Sequence, residues 1–133
     1  MKGGAISAVV LVLFAVKVLV RLGNSTPDVD TVIKQNIINA KSEIDKIKAS
    51  PEYSDARCYR DGSKKGIVLE FIFSKEHSPE EMDGELMKTF LKQDLAQDKE
   101  IKAIADLGIY FKYIYKDHTG KELCTVSILP SDF

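Results

Sequence analysis

The stretch IVLEFIF at residues 67–73 decides the fold. Ile67, Leu69, Phe71 and Phe73 fall on one side of an extended chain and are all apolar, whereas Val68, Glu70 and Ile72 fall on the other, which is mixed. That period of two belongs to a strand with one face on a core and the other facing outward. Upstream, a turn rich in Gly, Asp, Ser and Lys at 60–66 leads back to a shorter strand at 54–59. There Ala56 and Cys58 share one face and Asp55, Arg57 and Tyr59 share the other. The two segments read as a hairpin.

A second hairpin closes the chain. Ile109, Phe111, Tyr113 and Tyr115 alternate with Tyr110, Lys112, Ile114 and Lys116, and Asp117-His118-Thr119-Gly120 then supplies a turn. In the next strand, over 122–129, Cys124, Val126 and Ile128 take the inner face. The last residues, 130–133, are expected to fray.

Each hairpin is preceded by a helix. Thr26 and Pro27 offer a cap and a first helical position, and Val29, Ile33, Ile37, Ala40, Ile44 and Ile47 then recur every three or four residues until Pro51 ends the helix at Ser50. This stripe suits packing on the domain's own sheet. Its alternative use is a short coiled coil, a homodimer through Ile33, Ile37, Ala40, Ile44 and Ile47. Ser78-Pro79-Glu80-Glu81 carries the signature of a second helix start. The stripe Met82, Leu86, Met87, Phe90, Leu91, Leu95, Ile101, Ile104, Ala105 and Leu107 predicts one helix over 79–107, bent near Asp98 and stopped by Gly108. Helix, hairpin, helix, hairpin makes an α+β domain over 28–133: two layers, α-ββ-α-ββ, with a four-stranded antiparallel sheet covered on one face by the helices.

Ahead of that domain, GAISAVVLVLFAVKVLVRL at 4–22 is apolar except for Ser7, Lys17 and Arg21. Nineteen residues of helix rise about 28 Å, close to the hydrocarbon thickness of a bilayer. The expectation is a transmembrane anchor over 1–23 and a linker over 24–27, with Lys17 and Arg21 on one helix face at the membrane exit. A secretory signal peptide cleaved near Gly23-Asn24-Ser25 is the alternative, and the two cations just before that site count against it. Orientation has two opposing indicators. Lys17 and Arg21 outnumber Lys2, which favours a cytoplasmic body, whereas a short leading tail before an apolar run is the form of a signal anchor that exports the domain behind it.

Charge narrows the function classes. The chain has 19 basic and 20 acidic residues; setting aside Lys2, Lys17 and Arg21 leaves a body with 16 against 20, a net charge of −4. Such a body is poorly suited to nucleic acid, whose binding depends on clustered cations. Its 110 residues support one core and not two.

No motif supplies chemistry. Cys58 and Cys124 both have inward parity on the first and last strands. If those strands are neighbours in an oxidising compartment, a disulfide would close a loop of 66 residues and stabilise by about 4 kcal/mol. In a reducing one they are two small buried hydrophobes. His77 and His118 lie apart with no zinc-type spacing, and there is no phosphate-cradling glycine loop and no nucleophile elbow. The expectation is no enzyme, no metal and no cofactor. The outer residues Val68, Glu70, Ile72, Tyr110 and Lys112 would form a partly apolar partner surface if their strands are adjacent.

Tyr115-Lys116-Asp117 with Gly120-Lys121-Glu122-Leu123 ahead of a terminal strand, and Ile47-Lys48-Ala49 before the first hairpin, give the body a likeness. From about Asp28 to Phe133 it resembles small bacterial envelope lipoproteins of unknown function. That resemblance implies a bacterial envelope setting and no activity. The cysteine that lipid attachment needs after the apolar run is missing here, so anchoring would fall to the helix itself. Together these readings predict a single-pass, non-enzymatic domain on the exported side of a bacterial inner membrane. It would bind another envelope or membrane protein as accessory subunit, inhibitor or assembly factor, with Lys17 and Arg21 able to pair with an acid in the partner's span. The alternatives are a domain that binds or senses a small apolar ligand between sheet and helices, and a secreted protein.

Overall fold

The computed structural model describes residues 28–74, 84–96 and 99–132. The anchor at 1–23, the linker, His77 and the capping sequence Ser78-Pro79-Glu80-Glu81 lie outside the described residues. The elements run α1 (Val29–Ala49), β1 (Tyr53–Arg60), β2 (Gly66–Phe73), α2 (Gly84–Ala96), α3 (Lys99–Asp106), β3 (Tyr110–Lys116), β4 (Glu122–Ile128) and a short 3-10 turn, Pro130–Asp132. Among the described residues no helix is long and apolar enough to cross a membrane.

Helix α1 begins later than Thr26 would place it. Asp28 is its cap, its carboxylate accepting from the Thr31 backbone N–H and from the Thr31 hydroxyl, each at 3.1 Å. At the other end Ser50 is extended (ψ 138°), as the residue before Pro51 must be, and its N–H donates to the Ile47 carbonyl at 3.0 Å. The expected single helix over 79–107 is described as two, α2 and α3, on either side of residues 97–98, which lie outside the described residues. Gly108 ends α3 in the left-handed conformation (φ 84°) that a side chain would disfavour.

The sheet has the order β1-β2-β3-β4, and it is mixed, not antiparallel throughout. Each hairpin is antiparallel, but β2 and β3 run parallel at the centre, pairing Ile67 with Phe111, Leu69 with Tyr113 and Phe71 with Tyr115. The cause is the connection between them. A chain that leaves β2, crosses the sheet through two helices and returns can enter beside β2 in the same direction, which no tight turn permits.

The facing predicted from alternation is the one observed. Ala56, Ile67, Leu69, Phe71, Phe73, Phe111, Tyr113, Tyr115, Val126 and Ile128 form the buried inner side of the sheet. Val32, Ile33 and Ile44 of α1 join that core with Met87, Leu91 and Leu95 of α2 and Ile101 and Ile104 of α3. Phe71 stacks on Tyr115 with ring centroids 5.4 Å apart, and Tyr53 stacks on Phe73 at 5.2 Å. The α1 stripe is therefore occupied within the chain: Ile33, Ala40 and Ile44 are buried, and Ile37 and Ile47 pack against the same core. A homodimer through those five side chains would have to dismantle that core.

The core is not wholly apolar. The hydroxyls of Tyr113 and Tyr115 and both amide atoms of Asn36 are buried and find no hydrogen-bond partner among the described residues, at about 1–3 kcal/mol for each such group. Burial holds both phenols above their ordinary pKa, so they stay protonated.

Two polar clasps fix the chain's end. In the β3–β4 turn one Asp117 oxygen accepts from the Thr119 hydroxyl at 2.5 Å and from the backbone N–H groups of Thr119 at 2.8 Å and Lys121 at 3.0 Å. Beyond β4, residues 130–132 are not frayed. An Asp132 oxygen accepts from the Leu129 N–H at 2.8 Å, and its carboxylate faces the ammonium groups of Lys88 at 3.5 Å and Lys92 at 3.7 Å.

The donors around Asp117, the Thr119 hydroxyl first, hold its carboxyl below the usual carboxylate range. A depressed folded-state pKa stabilises above the unfolded value of about 3.9, and the contribution is lost as pH falls through the folded value. Asp117→Asn is expected to flatten that part of the acid limb in urea unfolding between pH 5 and pH 2. Equal acid sensitivity of the two proteins would refute the assignment.

Candidate functional site

The candidate surface is the outer face of the sheet, on the side away from the helices. Strand pairing puts Tyr59 beside Val68, Val68 beside Lys112, Arg57 beside Glu70, Glu70 beside Ile114 and Ile72 beside Lys116. The five residues expected to share a surface, Val68, Glu70, Ile72, Tyr110 and Lys112, do share it. The condition was that β2 and β3 be neighbours, and they are.

They differ in what they show to solvent. Val68 and Glu70 are 1 % and 4 % exposed, so neither is a direct contact for a docking partner. They form the floor with Ile114, and Ile72, Tyr110 and Lys112 are half-buried. Long side chains stand around that floor. The Glu70 carboxylate accepts from the Lys116 ammonium at 3.0 Å and the Tyr59 hydroxyl at 3.2 Å, and the Arg57 guanidinium lies 3.8 Å away. Arg57 also pairs with Asp55 at 3.3 Å, and Asp55 with Lys48 of α1 at 3.8 Å. The accessible groups are thus Tyr59, Arg57 and parts of Lys112 and Lys116. Sequence reasoning left Arg57, Tyr59, Ile114 and Lys116 out of this set, although the parity of β1 already placed Arg57 and Tyr59 opposite Ala56 and Cys58.

Burial, and then the adjacent Glu70 carboxylate, hold the Tyr59 phenol above its ordinary pKa, so it remains a hydrogen-bond donor. Glu70 has the donors of Tyr59 and Lys116 already in place on Oε2, and its Oε1 faces the Arg57 guanidinium at 3.8 Å. Tyr and Arg held over a desolvated apolar floor are the residue types that dominate protein-binding energetics.

At the end of this face Tyr110 lies across Gly66, its neighbour in β2. A Cβ at position 66 would collide with the Tyr110 ring. The Tyr110 hydroxyl donates to Asp61 at 2.5 Å, and loss of solvent together with that hydrogen bond pushes its pKa up to about 12. Gly66→Ala is expected to cost about 1–3 kcal/mol by displacing the ring and its hydrogen bond. The cost should shrink to a few tenths in a Tyr110→Ala background, a coupling that urea unfolding of the double-mutant cycle measures. Additive effects would contradict the proposed overlap.

The two cysteines do not meet. Cys58 sits on β1 and Cys124 on β4, opposite edges of the sheet with β2 and β3 between them, a separation of about 14 Å at ordinary strand spacing. A disulfide needs Cα atoms within about 7 Å, so the adjacency on which an intrachain bridge depended is not met. Burial pushes the Cys58 thiol up to about 12, which keeps it protonated and unreactive at neutral pH. Among the described residues no group of three or more His, Cys, Asp or Glu side chains is placed to hold a metal ion. His118 is exposed in the β3–β4 turn. Lys17 and Arg21 lie outside the described residues.

Comparison of the chain with protein-family models, with curated proteins and with solved structures returns no match.

Proposed function

We propose that this chain is a single-pass, membrane-tethered module without enzymatic activity. It binds another envelope or membrane protein through the outer face of its sheet, on the exported side of a bacterial inner membrane, as an accessory subunit, inhibitor or assembly factor. The tether in this reading is the apolar run at 4–22, whose length and terminal Lys17 and Arg21 suit a span. The observation that supports the binding role is the outer face itself, where exposed Arg57 and Tyr59 surround a buried Glu70, held through Oε2 by Tyr59 and Lys116, over the apolar side chains of Val68 and Ile114. A surface that served only solubility would need neither a buried carboxylate nor a desolvated floor.

Photo-crosslinking in native membranes tests this. A photoreactive residue is placed in the full chain at Tyr59 or Lys112 on the outer face, or at Ile38 or Thr89 on exposed positions of the helices. The expected result is a discrete adduct, not a second copy of this chain, from the outer positions alone, and its loss on Arg57→Ala. No adduct from Tyr59 or Lys112, or equal adducts from the helix positions, would overturn the reading.

A further inference from the structure

The two edges of the sheet are built differently. β1 carries a register shift between Tyr53 and Asp55, and bears Asp55, Arg57 and Arg60. Two of those charges are tied to α1, Asp55 to Lys48 at 3.8 Å and Arg60 to Asp30 at 2.7 Å. Bulges and charged side chains are the usual means by which an edge strand is kept from pairing with another chain. At the other edge β4 has a register shift of its own, opposite Tyr115 and Lys116, and one charge, Glu122, both at the end nearest the turn; the rest of the strand has neither. Residues 123–128, LCTVSI, carry no charge and no proline, and pairing with β3 is regular from Cys124 to Ile128. β3 lies on one side of β4, and none of the described residues pairs with it on the other.

Apolar surface gathers on the same side. Of the five large hydrophobic side chains left exposed among the described residues, Leu86 and Phe90 belong to α2, the helix that lies along β4, and Leu129 directly follows that strand.

We propose that β4 pairs antiparallel with β4 of a second copy, joining two four-stranded sheets into one of eight strands. A second copy fits because the uncharged run 123–128 meets itself about a two-fold axis without setting like charges opposite each other. It also fits because, among the described residues, one edge of the sheet is left without a neighbouring strand and the other is guarded by charges tied to α1, so pairing at β4 closes at two copies instead of growing into a fibre. Main-chain hydrogen bonds supply the pairing, and Leu86, Phe90 and Leu129 supply apolar area beside it. This inference does not rest on the outer-face partner, which would occupy a different surface.

The test uses the full chain in mild detergent, with Cys58 and Cys124 replaced by Ser. Single cysteines are introduced by Leu123→Cys, Thr125→Cys or Ser127→Cys on β4, and by Arg57→Cys on β1 as a control, and a short bis-maleimide is added. Whichever residue sits on the axis, one of the three β4 positions lies within a residue of it. The expected result is a crosslinked dimer from β4 and none from β1, with a dimeric mass by sedimentation. Thr125→Lys, checked for folding by circular dichroism, should weaken self-association roughly tenfold or more, because it sets an ammonium close to its own copy. Ser127→Lys replaces it if the first variant does not fold. A monomeric mass at every concentration with no β4 crosslink, equal crosslinking from β1, or a β4 crosslink only to a different protein would each overturn the proposal.

Discussion

Phe71→Ala is expected to remove about 3–5 kcal/mol of stability, the range for deleting a large aromatic from a packed core. Phe71 is fully buried on the central strand β2, stacked on Tyr115 and 6.1 Å from the tilted ring of Tyr53. Its neighbours in the ladder are Ala56 and Tyr115, so a cavity here opens between the two halves of the sheet and both hairpins lose a shared contact. A domain of this size holds on the order of 5–15 kcal/mol in total, so the variant should unfold at a much lower urea concentration with the slope of the transition little changed. Phe71→Leu, which keeps most of the volume, should cost less than half as much. A loss under about 1 kcal/mol for the alanine variant would mean that β2 is not the centre of the core.

The second large effect concerns charge. Glu70→Lys places an ammonium where the carboxylate was, on a residue 4 % exposed, facing Arg57 and Lys116. Three cations around one desolvated point, with the original pairs broken, should destabilise by about 3–5 kcal/mol. Glu70→Leu should be nearly neutral, because an apolar side chain continues the row from Val68 to Ile72, while Arg57 and Lys116 are exposed enough to turn to water. The contrast separates stability from recognition. If the outer face binds a partner, Glu70→Leu should leave unfolding unchanged and still reduce the crosslink from position 112, because Arg57 and Tyr59 lose the group that orients them. A Glu70→Leu protein that is as unstable as the lysine variant would refute this account.

Much of the architecture was legible in the residues. Strand facing follows from alternation alone, and the inner and outer sets of all four strands came out as Ile67, Phe111, Val126 and their neighbours dictate. Neighbour order was not legible in the same way, because a side-chain pattern states which face is buried and is silent on which strand lies alongside. That is why the sheet read as antiparallel, and why Cys58 and Cys124 stood as candidates for a bridge until the order placed them at opposite edges. Length carried the missing information: β2 and β3 are separated by two helices, a crossover long enough for parallel pairing. The cap of α1 is Asp28 instead of Thr26: both residue types cap, Asp somewhat better than Thr, and the extended backbone at Asp28 (ψ 130°) puts the cap there. Val68 and Ile72 mark the outer face in the sequence, but its accessible part, Arg57 and Tyr59, belongs to β1, whose inner face carries only Ala56 and Cys58 and so gives a weaker alternation.

The fit of Tyr110 over Gly66 also bears on assembly. The two hairpins are local units, and the β2–β3 seam is the one ladder that must be aligned by residues far apart in the chain. A slip of one residue would turn every inner side chain outward, but a slip of two would keep both faces and offer a competing alignment. In that shifted seam the ring of Tyr110 would meet the branched side chain of Val68 instead of the bare backbone of Gly66. The glycine therefore acts as an indexing notch, admitting one register and rejecting its nearest rival before the helices close over the sheet.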